Sequence, residues 1–314
     1  MLASPPETDD GPDRALVIGE ALIDLIRRPG QADAARVGGS PLNVAVGLSR
    51  LEVPAVLQTR IGCDAHGALI EEHLSENDVE LVTRSITAGP TSTALATIAA
   101  DGAASYEFAI DWSIASAPDL APDLVHTGSI AAVLEPGASV VLATIEALRA
   151  TATISYDPNV RPQLMGSRES ARKRIEEFVE RADVVKASDE DLAWLFPDTA
   201  PADVARRWLR LGPALVVVTL GPDGAYAAAR GGAVQIPAPP TTVVDTIGAG
   251  DSFMAGLLVA LFDAGLLGRK HAERLKALDL EQIRGLLEFA AGCAAVTVSR
   301  PGADPPRRDR IMAT

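Results

Sequence analysis

Cysteine, aromatic residues and positive charge are all scarce in this sequence of 314 residues. The two cysteines, Cys63 and Cys293, exclude a disulfide framework, suit a reducing cytoplasm and are expected to be inert core residues. Aromatic residues make up 4% of the chain, which disfavours stacking platforms for single-stranded nucleic acid. Because 28 Lys and Arg stand against 42 Asp and Glu, the formal net charge is −14, and we expect no nucleic-acid partner.

Long hydrophobic runs and a signal peptide are also missing. The longest apolar runs, such as residues 253–262, are about half as long as the roughly 20 residues that a membrane-spanning helix needs. Residues 1–14 are polar and acidic, so they predict a disordered leader rather than a secretory signal. We therefore expect a cytoplasmic protein without a membrane partner, and a small polar molecule as its ligand.

What the sequence does contain is an alternation of strand and helix patterns. Apolar residues make up 47% of the chain, which is ample for a large core. Short apolar runs predict strands at 15–19, 55–61, 124–128, 153–157, 183–187 and 215–219, and helical spacing predicts helices at 42–51, 65–77, 138–150, 168–181, 189–196, 201–211, 251–264 and 275–298. This repetition predicts an α/β fold with a doubly wound, mostly parallel sheet.

Two candidate hairpins and a polar insertion interrupt the alternation. Strand-like residues 93–99 and 105–110 flank the turn signal Asp101-Gly102. A second pair, 226–229 and 233–236, flanks Gly231-Gly232. Residues 27–36 are polar and longer than a minimal connection between a strand and a helix. We therefore expect antiparallel strands inserted into the α/β chain.

The most informative motif is VVDTIGAGDSF, residues 243–253, in which a glycine-rich turn leads into an apolar helix. This turn predicts an anion-binding site, formed by the backbone amides of Gly248, Ala249 and Gly250 and by the positive end of the helix dipole. Phosphate is the expected anion. A carboxylate beside such a site repels the anion, so it is expected there only if it takes part in the reaction. Asp251 is therefore a candidate general base. The alternative is that Asp251 only caps the helix.

A second group of candidate binding residues lies near the start of the chain. Gly38 and Gly39 let the backbone approach a ligand closely, and Asn43 offers both hydrogen-bond donors and acceptors. Asp24 is suited to accept two hydroxyl hydrogens, although a lone Asp after a strand is also common as a cap or turn residue. This combination predicts a site for a polyol.

Several other functions are disfavoured by motifs that the chain lacks. It has no Gly-Lys pair and hence no P-loop, and no G-x-G-x-x-G after the first strand, which a nicotinamide-dependent oxidoreductase would need. Ser40 does not lie in a G-x-S-x-G elbow, which disfavours a hydrolase. The four histidines lack the spacing of a metal centre and are expected to be structural or surface residues: His66, His73, His126 and His271.

The two glycine-rich motifs together resemble a known family. G-G-x-P-x-N at 38–43 and D-T-x-G-A-G-D at 245–251 resemble the two signatures of the ribokinase-like (PfkB) carbohydrate kinases. Segments 61–67, 157–161, 219–224 and 300–303 are similar to that family as well. The resemblance implies a single three-layer α/β/α domain over 15–306, with a small β-sheet lid inserted at about 25–37 and 91–112 and a tail at 307–314. It also implies a homodimer formed through the lid.

The resemblance further implies roles for individual residues in phosphate transfer from ATP, with Mg²⁺, to a sugar hydroxyl. Asp251 would be the catalytic base, and the amides of Gly248, Ala249 and Gly250 would stabilise the transferred phosphoryl group. The implied sugar contacts are Asp24, Gly38, Gly39, Asn43 and Arg161, with Tyr106 and Phe108 as cover from the lid. The implied nucleotide contacts are Lys186, Ser188, Thr219, Gly221, Gly224, Gly250, Ala291 and Ala295. Ordinary lid packing for the two aromatic residues and a surface position for Lys186 remain the alternatives.

Two regions depart from the family pattern or leave it open. Many members have N-x-x-E where this chain has Ser188 and Asp191, so either Glu190 or Asp191 would serve Mg²⁺ through water. Some members bind a monovalent cation such as K⁺ through backbone carbonyls, and the matching positions here are Asp245, Ile247, Thr297, Arg300 and Gly302. Because Pro306 stands where ribokinase has a serine ligand, potassium activation stays open.

The identity of the acceptor sugar is the harder question. Residues 19–24, 156–162 and 186–188 are more similar to bacterial fructokinases than to ribokinases or adenosine kinases, which favours fructose. Arg161 suits sugar oxygens, but it equally suits the carboxylate of 2-keto-3-deoxygluconate, so a kinase for that keto acid and a ribokinase remain alternatives. The rival from a different class is a non-catalytic sugar-binding or regulatory protein of the same fold, against which the intact Asp251 argues.

Overall fold

The predicted strands and helices recur in the computed structural model, which describes residues 14–27, 33–98, 104–116 and 118–311. Residues 1–13 of the predicted leader, the Asp101-Gly102 turn and residues 312–314 of the predicted tail lie outside these ranges. The strands are β1 (Ala15–Ile18), β2 (Leu22–Arg27), β3 (Ala34–Gly38), β4 (Ala55–Gln58), β5 (Ile61–Gly62), β6 (Glu80–Leu81), β7 (Ile86–Thr87), β8 (Thr93–Ile98), β9 (Ala104–Ala109), β10 (Leu124–Gly128), β11 (Thr153–Asp157), β12 (Val184–Ser188), β13 (Leu215–Thr219), β14 (Ala225–Ala229) and β15 (Gly232–Ile236).

The helices alternate with these strands. They are α1 (Ser40–Arg50), α2 (Ala65–Glu76), α3 (Gly137–Leu148), α4 (Arg168–Val179), α5 (Asp189–Leu195), α6 (Pro201–Leu209), α7 (Ala249–Asp263), α8 (Ala272–Lys276), α9 (Leu280–Val298) and α10 (Arg308–Ile311). The helix predicted at 275–298 is interrupted, because Asp279 caps α9 by accepting a hydrogen bond from the amide of Gln282. The other boundaries differ from the predicted ones by a few residues.

One large sheet forms the centre of the fold, in the order β15-β14-β13-β12-β11-β10-β1-β4-β6. Neighbouring strands from β13 to β6 are parallel, and β14 and β15 add an antiparallel hairpin at one edge. Strands β1 and β11 are buried at every residue, as expected where helices cover both faces of a parallel sheet. The doubly wound, mostly parallel sheet and the second hairpin are therefore confirmed.

Helices pack on both faces of this sheet and give three layers. Ala15 and Val17 of β1 belong to a hydrophobic core shared with α1, α7 and α9. Leu16 and Ile18 of the same strand belong to a second core shared with α3, α4 and α6. Successive side chains of a strand point to opposite faces, so a strand buried on both sides contributes to both cores. The predicted three-layer α/β/α architecture is confirmed.

A second sheet of four strands, in the order β3-β2-β8-β9, is separate from the large one, and we call it the lid. Strand β2 pairs with β3 antiparallel and with β8 in parallel, and β8 pairs with β9 antiparallel. These strands overlap the two predicted insertions, so the small additional sheet is confirmed. Asp24 lies inside β2, in register with Arg36 and Ala94, rather than after the first strand as the sequence suggested.

Two local expectations from the sequence are changed by the structure. Cys293 is buried, but Cys63 is exposed because it follows the two-residue strand β5, so the prediction of two core cysteines is wrong for Cys63. Helix α7 begins at Ala249, two residues before its predicted start, because Gly248 takes the left-handed conformation and caps it there. Within residues 14–27, 33–98, 104–116 and 118–311, no helix combines the length and the apolar character of a membrane span.

Candidate active site

A cavity of about 920 Å³ opens where the carboxyl ends of β1, β11, β12 and β13 meet the amino ends of α1 and α7. Open α/β sheets bind their ligands at this edge. The lid contributes Asp24, Ala94 and Phe108 to one wall. The volume lies within the range that small-molecule sites occupy in proteins.

Most of the predicted site residues line this one cavity. They are Asp24, Gly39, Asn43, Phe108, Arg161, Lys186, Ser188, Glu190, Asp191, Thr219, Gly221, Gly224, Ile247, Gly248, Ala249, Gly250, Asp251, Ala291 and Ala295. Gly38, Asp245, Thr297, Arg300 and Gly302 do not line it. The side chain of Tyr106 lies outside the described part of the structure. Residues from both ends of the chain therefore meet at one site.

Asp251 lies in the first turn of α7, 8% exposed, and α1 holds both of its carboxylate oxygens. Ser40 Oγ donates to Oδ1 at 2.6 Å, and Asn43 Nδ2 donates to Oδ2 at 2.8 Å. Asn43, which the resemblance assigned to the sugar, thus contacts the candidate base. The two donors fix the orientation of the carboxylate and leave lone pairs for a substrate hydroxyl.

The glycine-rich turn before α7 is shaped for an anion. Gly248 has a φ of 75°, a conformation that favours glycine. The amide of Ala249 already donates to the carbonyl of Thr246 at 3.3 Å, whereas the amide of Gly250, in the first turn, has no acceptor within the helix. A Cβ on Gly250 would lie 2.9 Å from Nζ of Lys186. An anion at this turn would therefore meet an amide, the helix dipole and an ammonium group together.

Lys186 is buried and paired, so the surface alternative for this lysine is wrong. Its side chain is 4% exposed, and its Nζ lies 2.9 Å from Oδ2 of Asp157, which is 1% exposed. Burial raises the pKa of Asp157 to about 6, although Lys186 lowers it. Burial alone lowers the pKa of Lys186, but the carboxylates of Asp157 and Asp191 raise it above its usual value. The ammonium group is therefore charged at neutral pH.

Asp24 and Arg161 lie at the end of the cavity nearest to the lid. Gly38 makes room for the Asp24 carboxylate, since a Cβ on Gly38 would lie 2.2 Å from Oδ2. Asp24 is exposed as a residue, but partial desolvation of its carboxyl group raises its pKa, and the Arg161 guanidinium opposes this shift. Nη1 of Arg161 donates to Oδ1 of Asn159 at 2.7 Å. This end of the cavity offers both acceptors and donors to a polar ligand.

Glu20 and Ser40 are cavity residues that the sequence reasoning missed. Glu20 is 5% exposed, and burial raises its pKa to about 7. The sequence could have predicted this position, because Glu20 comes directly after the strand predicted at 15–19. An acid at the carboxyl end of a strand in a parallel sheet lies at the edge where ligands bind. The signal for Ser40 was its position three residues before Asn43, which puts both on one face of α1.

Small residues form the opposite end of the cavity. Thr219, Gly221 and Gly224 follow β13, and Ala291 and Ala295 of α9 lie across from them. Gly221 and Gly224 have φ values of 54° and 93°, so their backbone conformations favour glycine. These small side chains leave the backbone accessible, so this wall can recognise a flat ring by contact and through backbone groups.

Both carboxylate oxygens of Asp191 accept hydrogen bonds from backbone amides. Its Oδ1 accepts from the amide of Val160 at 2.7 Å and its Oδ2 from the amide of Ser188 at 2.8 Å. Ser188 and Asp191 together form the capping box of α5. Glu190 is exposed on the cavity wall and keeps its carboxylate available. Among the described residues, no three His, Cys, Asp or Glu side chains form a metal-binding group.

Asp245 joins two loops beside the glycine-rich turn. Its carboxylate accepts from the amides of Ile247 at 3.0 Å and Gly302 at 2.8 Å. These hydrogen bonds lower the pKa of Asp245 below its usual value. Thr297 is fully buried in α9, and Arg300 follows that helix. The structure thus brings Asp245, Ile247 and Gly302, three of the five predicted cation positions, into one loop junction, and of these three only Ile247 lines the cavity.

Comparison with known proteins gives a family match over almost the whole chain. The model of the pfkB family of carbohydrate kinases matches residues 13–310. A protein of Rhizobium leguminosarum bv. trifolii named fructokinase is 34% identical over 281 residues, which are 86% of this chain and 85% of that protein.

Solved structures agree with the sequence relatives. A fructokinase from Xylella fastidiosa with bound ATP superimposes with a TM-score of 0.80 and 26% identity, over 96% of this chain and 97% of that one. A double mutant of the fructokinase from Vibrio cholerae O395, with fructose, ADP and a potassium ion bound, gives a TM-score of 0.79 at 26% identity over 96% and 97% of the two chains.

Proposed function

The chain belongs to the pfkB family of carbohydrate kinases, and on that premise we propose that it transfers the γ-phosphate of ATP to a hydroxyl group of fructose. It is a sugar kinase, and fructose is favoured because relatives that match most of the chain are named fructokinase. The neighbour from Vibrio cholerae, which has fructose and ADP bound, supports the same acceptor.

The proposal depends on one observation: Asp251, Gly250 and Lys186 lie together at the glycine-rich turn. Asp251 takes the proton from the attacking hydroxyl as its oxygen forms a bond to the γ-phosphorus, and the bond to the β-phosphate oxygen breaks to release ADP. The Gly250 amide and the Lys186 ammonium stabilise the negative charge on the transferred group. Ser40 and Asn43 keep the base oriented toward the acceptor.

The charges at the sugar end favour a neutral acceptor over the keto acid. Arg161 is the cation that would pair with a substrate carboxylate, but Asp24 and Glu20 are close enough to be influenced by its charge. An incoming carboxylate would therefore meet these two acids as well as the guanidinium. Fructose, which brings only hydroxyl groups, has no such opposition.

The nucleotide belongs at the other end, along Thr219, Gly221 and Gly224 and beside Ala291 and Ala295. Its phosphates then point to Lys186 and Ser188. Mg²⁺ fits this site as an ion carried by the phosphates, because Glu190, an exposed acid on the cavity wall, suits a metal that keeps most of its water. When bound, Mg²⁺ neutralises charge on the phosphates.

Two further parts of the proposal concern assembly and activation. A homodimer formed through the lid is supported by the 36% exposure of Phe108 and by half-buried Leu25 and Ile26. Potassium activation is supported by the loop junction at Asp245 and by the potassium-bound neighbour. The use of ATP supports a cytoplasmic location.

The first experiment measures sugar-dependent release of ADP from Mg-ATP with fructose, 2-keto-3-deoxygluconate, ribose, tagatose and adenosine, each with and without potassium. We expect the highest kcat/KM for fructose. A preference for the keto acid would reassign Arg161 to carboxylate recognition. No turnover with any of these acceptors would contradict the proposal and favour the non-catalytic binding protein.

The variant Asp251→Asn tests the assignment of the base. Replacing the carboxylate with an amide keeps the shape and removes the proton acceptor, so we expect kcat to fall by about two or more orders of magnitude. Fructose affinity, measured by calorimetry in the presence of ADP, should stay within a few-fold of wild type. Near-normal turnover would contradict the role of Asp251.

A further inference from the structure

The sugar end of the cavity contains a carboxyl group that none of the roles above uses. Glu20 lies two residues after β1, lines the cavity and is 5% exposed. Its Oε2 atom has no hydrogen-bond partner within the residues that the structure describes. Buried polar atoms without partners are uncommon in folded proteins, so this carboxyl group on a cavity-lining residue is a candidate partner for a ligand group.

The chain around Glu20 holds this carboxyl at the wall. Gly39 has a φ of 116°, and a Cβ on it would lie 2.3 Å from the Glu20 carbonyl oxygen, so the loop before α1 packs directly on the Glu20 backbone. On the other side, Ser129 has a φ of 52°, which is uncommon for a residue with a side chain. Its side chain lowers the pKa of the Glu20 carboxyl group. All three residues line the same cavity.

The surroundings of Glu20 let its carboxyl group donate as well as accept a hydrogen bond. Burial raises its pKa to about 7, the Ser129 side chain and the Arg161 guanidinium lower it, and Asp251 raises it. Both protonation states are therefore populated near neutral pH. A sugar hydroxyl also donates and accepts, so it can pair with either state. Rotation about the terminal torsion, which is broad in Glu, can turn either oxygen toward the cavity.

We propose that Glu20 is a substrate-binding residue whose carboxyl group hydrogen-bonds a hydroxyl of the acceptor sugar other than the one that is phosphorylated. The inference rests on the proposed function, because it needs a polyhydroxylated acceptor at this end of the cavity. Asp251 serves the reacting hydroxyl, and Glu20 lies near enough for the Asp251 charge to raise its pKa. Because both carboxyl groups line the same cavity, a ring whose reacting hydroxyl meets Asp251 can offer a second hydroxyl to Glu20.

The first test measures the thermal stability of the protein without ligands. Glu20→Leu removes a buried carboxyl group that lacks a partner for Oε2, so we expect a higher Tm than in wild type. Asp183→Asn is the matched control, since the Asp183 carboxylate accepts from the amide of Ile154 at 2.9 Å and pairs with Arg269 at the other end of the sheet. The control should lower the Tm. A lower Tm for Glu20→Leu would mean a structural role and would overturn the proposal.

The second test compares KM values for fructose and for the monodeoxy analogues of fructose. Glu20→Leu should raise the KM for fructose about tenfold or more and leave the KM for ATP within twofold, and Glu20→Gln should fall between it and wild type. One deoxy analogue should be poor with wild type and lose no further activity with Glu20→Leu, because the same hydrogen bond is already absent. If, for every deoxy analogue, the loss of activity caused by Glu20→Leu adds to the loss caused by the missing hydroxyl, the proposal is overturned.

The two tests separate the inference from the function on which it rests. Turnover of fructose by the wild-type enzyme reports on the proposed function alone. The ratio between Glu20→Leu and wild type reports on Glu20, and the Tm comparison does so without any substrate. If wild type prefers another acceptor of the panel, the deoxy analogues of that acceptor replace those of fructose.

Discussion

Asp251 and the side chains that touch it show how single residues are arranged at this site. The carboxylate is held by one hydroxyl and one amide of the same helix, three residues apart in α1. Below them, Lys186 is paired with Asp157 under the glycine-rich turn. Asp251 and Lys186 are therefore each oriented by specific partners, as electrostatic preorganisation requires.

The hydroxyl of Ser40 provides a test at this scale. Ser40→Ala removes the 2.6 Å hydrogen bond to Oδ1 of Asp251 and leaves the bond from Asn43. A hydrogen bond to a charged group contributes about 1.5–3 kcal/mol, so we expect kcat to fall roughly tenfold or more as the carboxylate loses its fixed orientation. Steady-state kinetics with fructose and ATP measures this loss.

Ser49→Ala is the control for this variant. Ser49 lies on the same helix, but its hydroxyl donates to the carbonyl of Asp78, away from the cavity. The control should keep the wild-type kcat. Equal kinetics for Ser40→Ala and wild type would contradict a positioning role for the Ser40 hydroxyl.

At the scale of elements, the close approach of α1 and α7 brings the base to its donors. A Cβ on Gly47 would lie 2.6 Å from the Cβ of Ala255, so the two helices touch through small residues. On the other side of α7, a Cβ on Gly256 would lie 2.9 Å from Sγ of Cys293 in α9. Helix α7 therefore packs closely against α1 and α9, and there is no space for a larger side chain at Gly47 or Gly256.

Gly47→Ala tests this packing. The added methyl group forces α1 and α7 apart by a fraction of an ångström, which we expect to destabilise the protein by about 1–3 kcal/mol and to lower kcat. Thermal melts and kinetics measure both effects. Adding Ala255→Gly should restore stability and activity in part, because it removes the opposing methyl group. A double variant as impaired as Gly47→Ala would contradict the contact.

Gly285→Ala is the matched glycine substitution in an open position. Gly285 lies within α9, is exposed, and a Cβ on it meets nothing within 4 Å. Because alanine is the better helix former, we expect the free energy of unfolding to rise by about 0.5–1 kcal/mol without a change in kcat. Urea unfolding measures the difference. A loss of stability would mean that the surroundings of Gly285 are less open than in this structure.

For the whole molecule, the stability depends on pH through buried titratable groups. His126 stabilises the fold more at high pH, whereas Glu20 and Asp157 stabilise it more at low pH. His126 is fully buried beside Ser155 at 2.8 Å, and burial lowers its pKa to about 3. Its stabilising contribution is complete above the usual value of 6.5 and is lost as the pH falls from there to about 3. Glu20 and Asp157 have raised pKa values, so their contributions are lost as the pH rises through about 7 and about 6.

His126→Gln isolates the histidine contribution. Urea unfolding of wild type and variant at pH 7, 6 and 5 leaves the contributions of Glu20 and Asp157 common to both proteins, so they cancel in the difference. We expect wild type to lose on the order of 2 kcal/mol relative to the variant between pH 7 and pH 5. Parallel curves at the three pH values would mean that His126 is not held neutral by burial.

The sequence determined the features that depend on local pattern. Apolar runs in alternation with helical spacing determined the parallel sheet, because strands buried on both faces must be apolar throughout. The motif at 245–251 determined the glycine-rich turn and the acid at the start of α7, because only glycine takes a φ of 75° without strain. The roles assigned to the site residues stay predictions that the kinetics above test.

Tertiary structure decided which partners these residues have. The sequence could not show that Asn43 faces Asp251, that Lys186 is buried against Asp157, or that Glu20 lies at the cavity wall, because each contact depends on which strands and helices are neighbours. Asn43 and Asp251 are 208 residues apart in the chain and meet only through the packing of α1 on α7. Burial and charge pairing are properties of that assembled neighbourhood, and a linear pattern of residue types does not contain them.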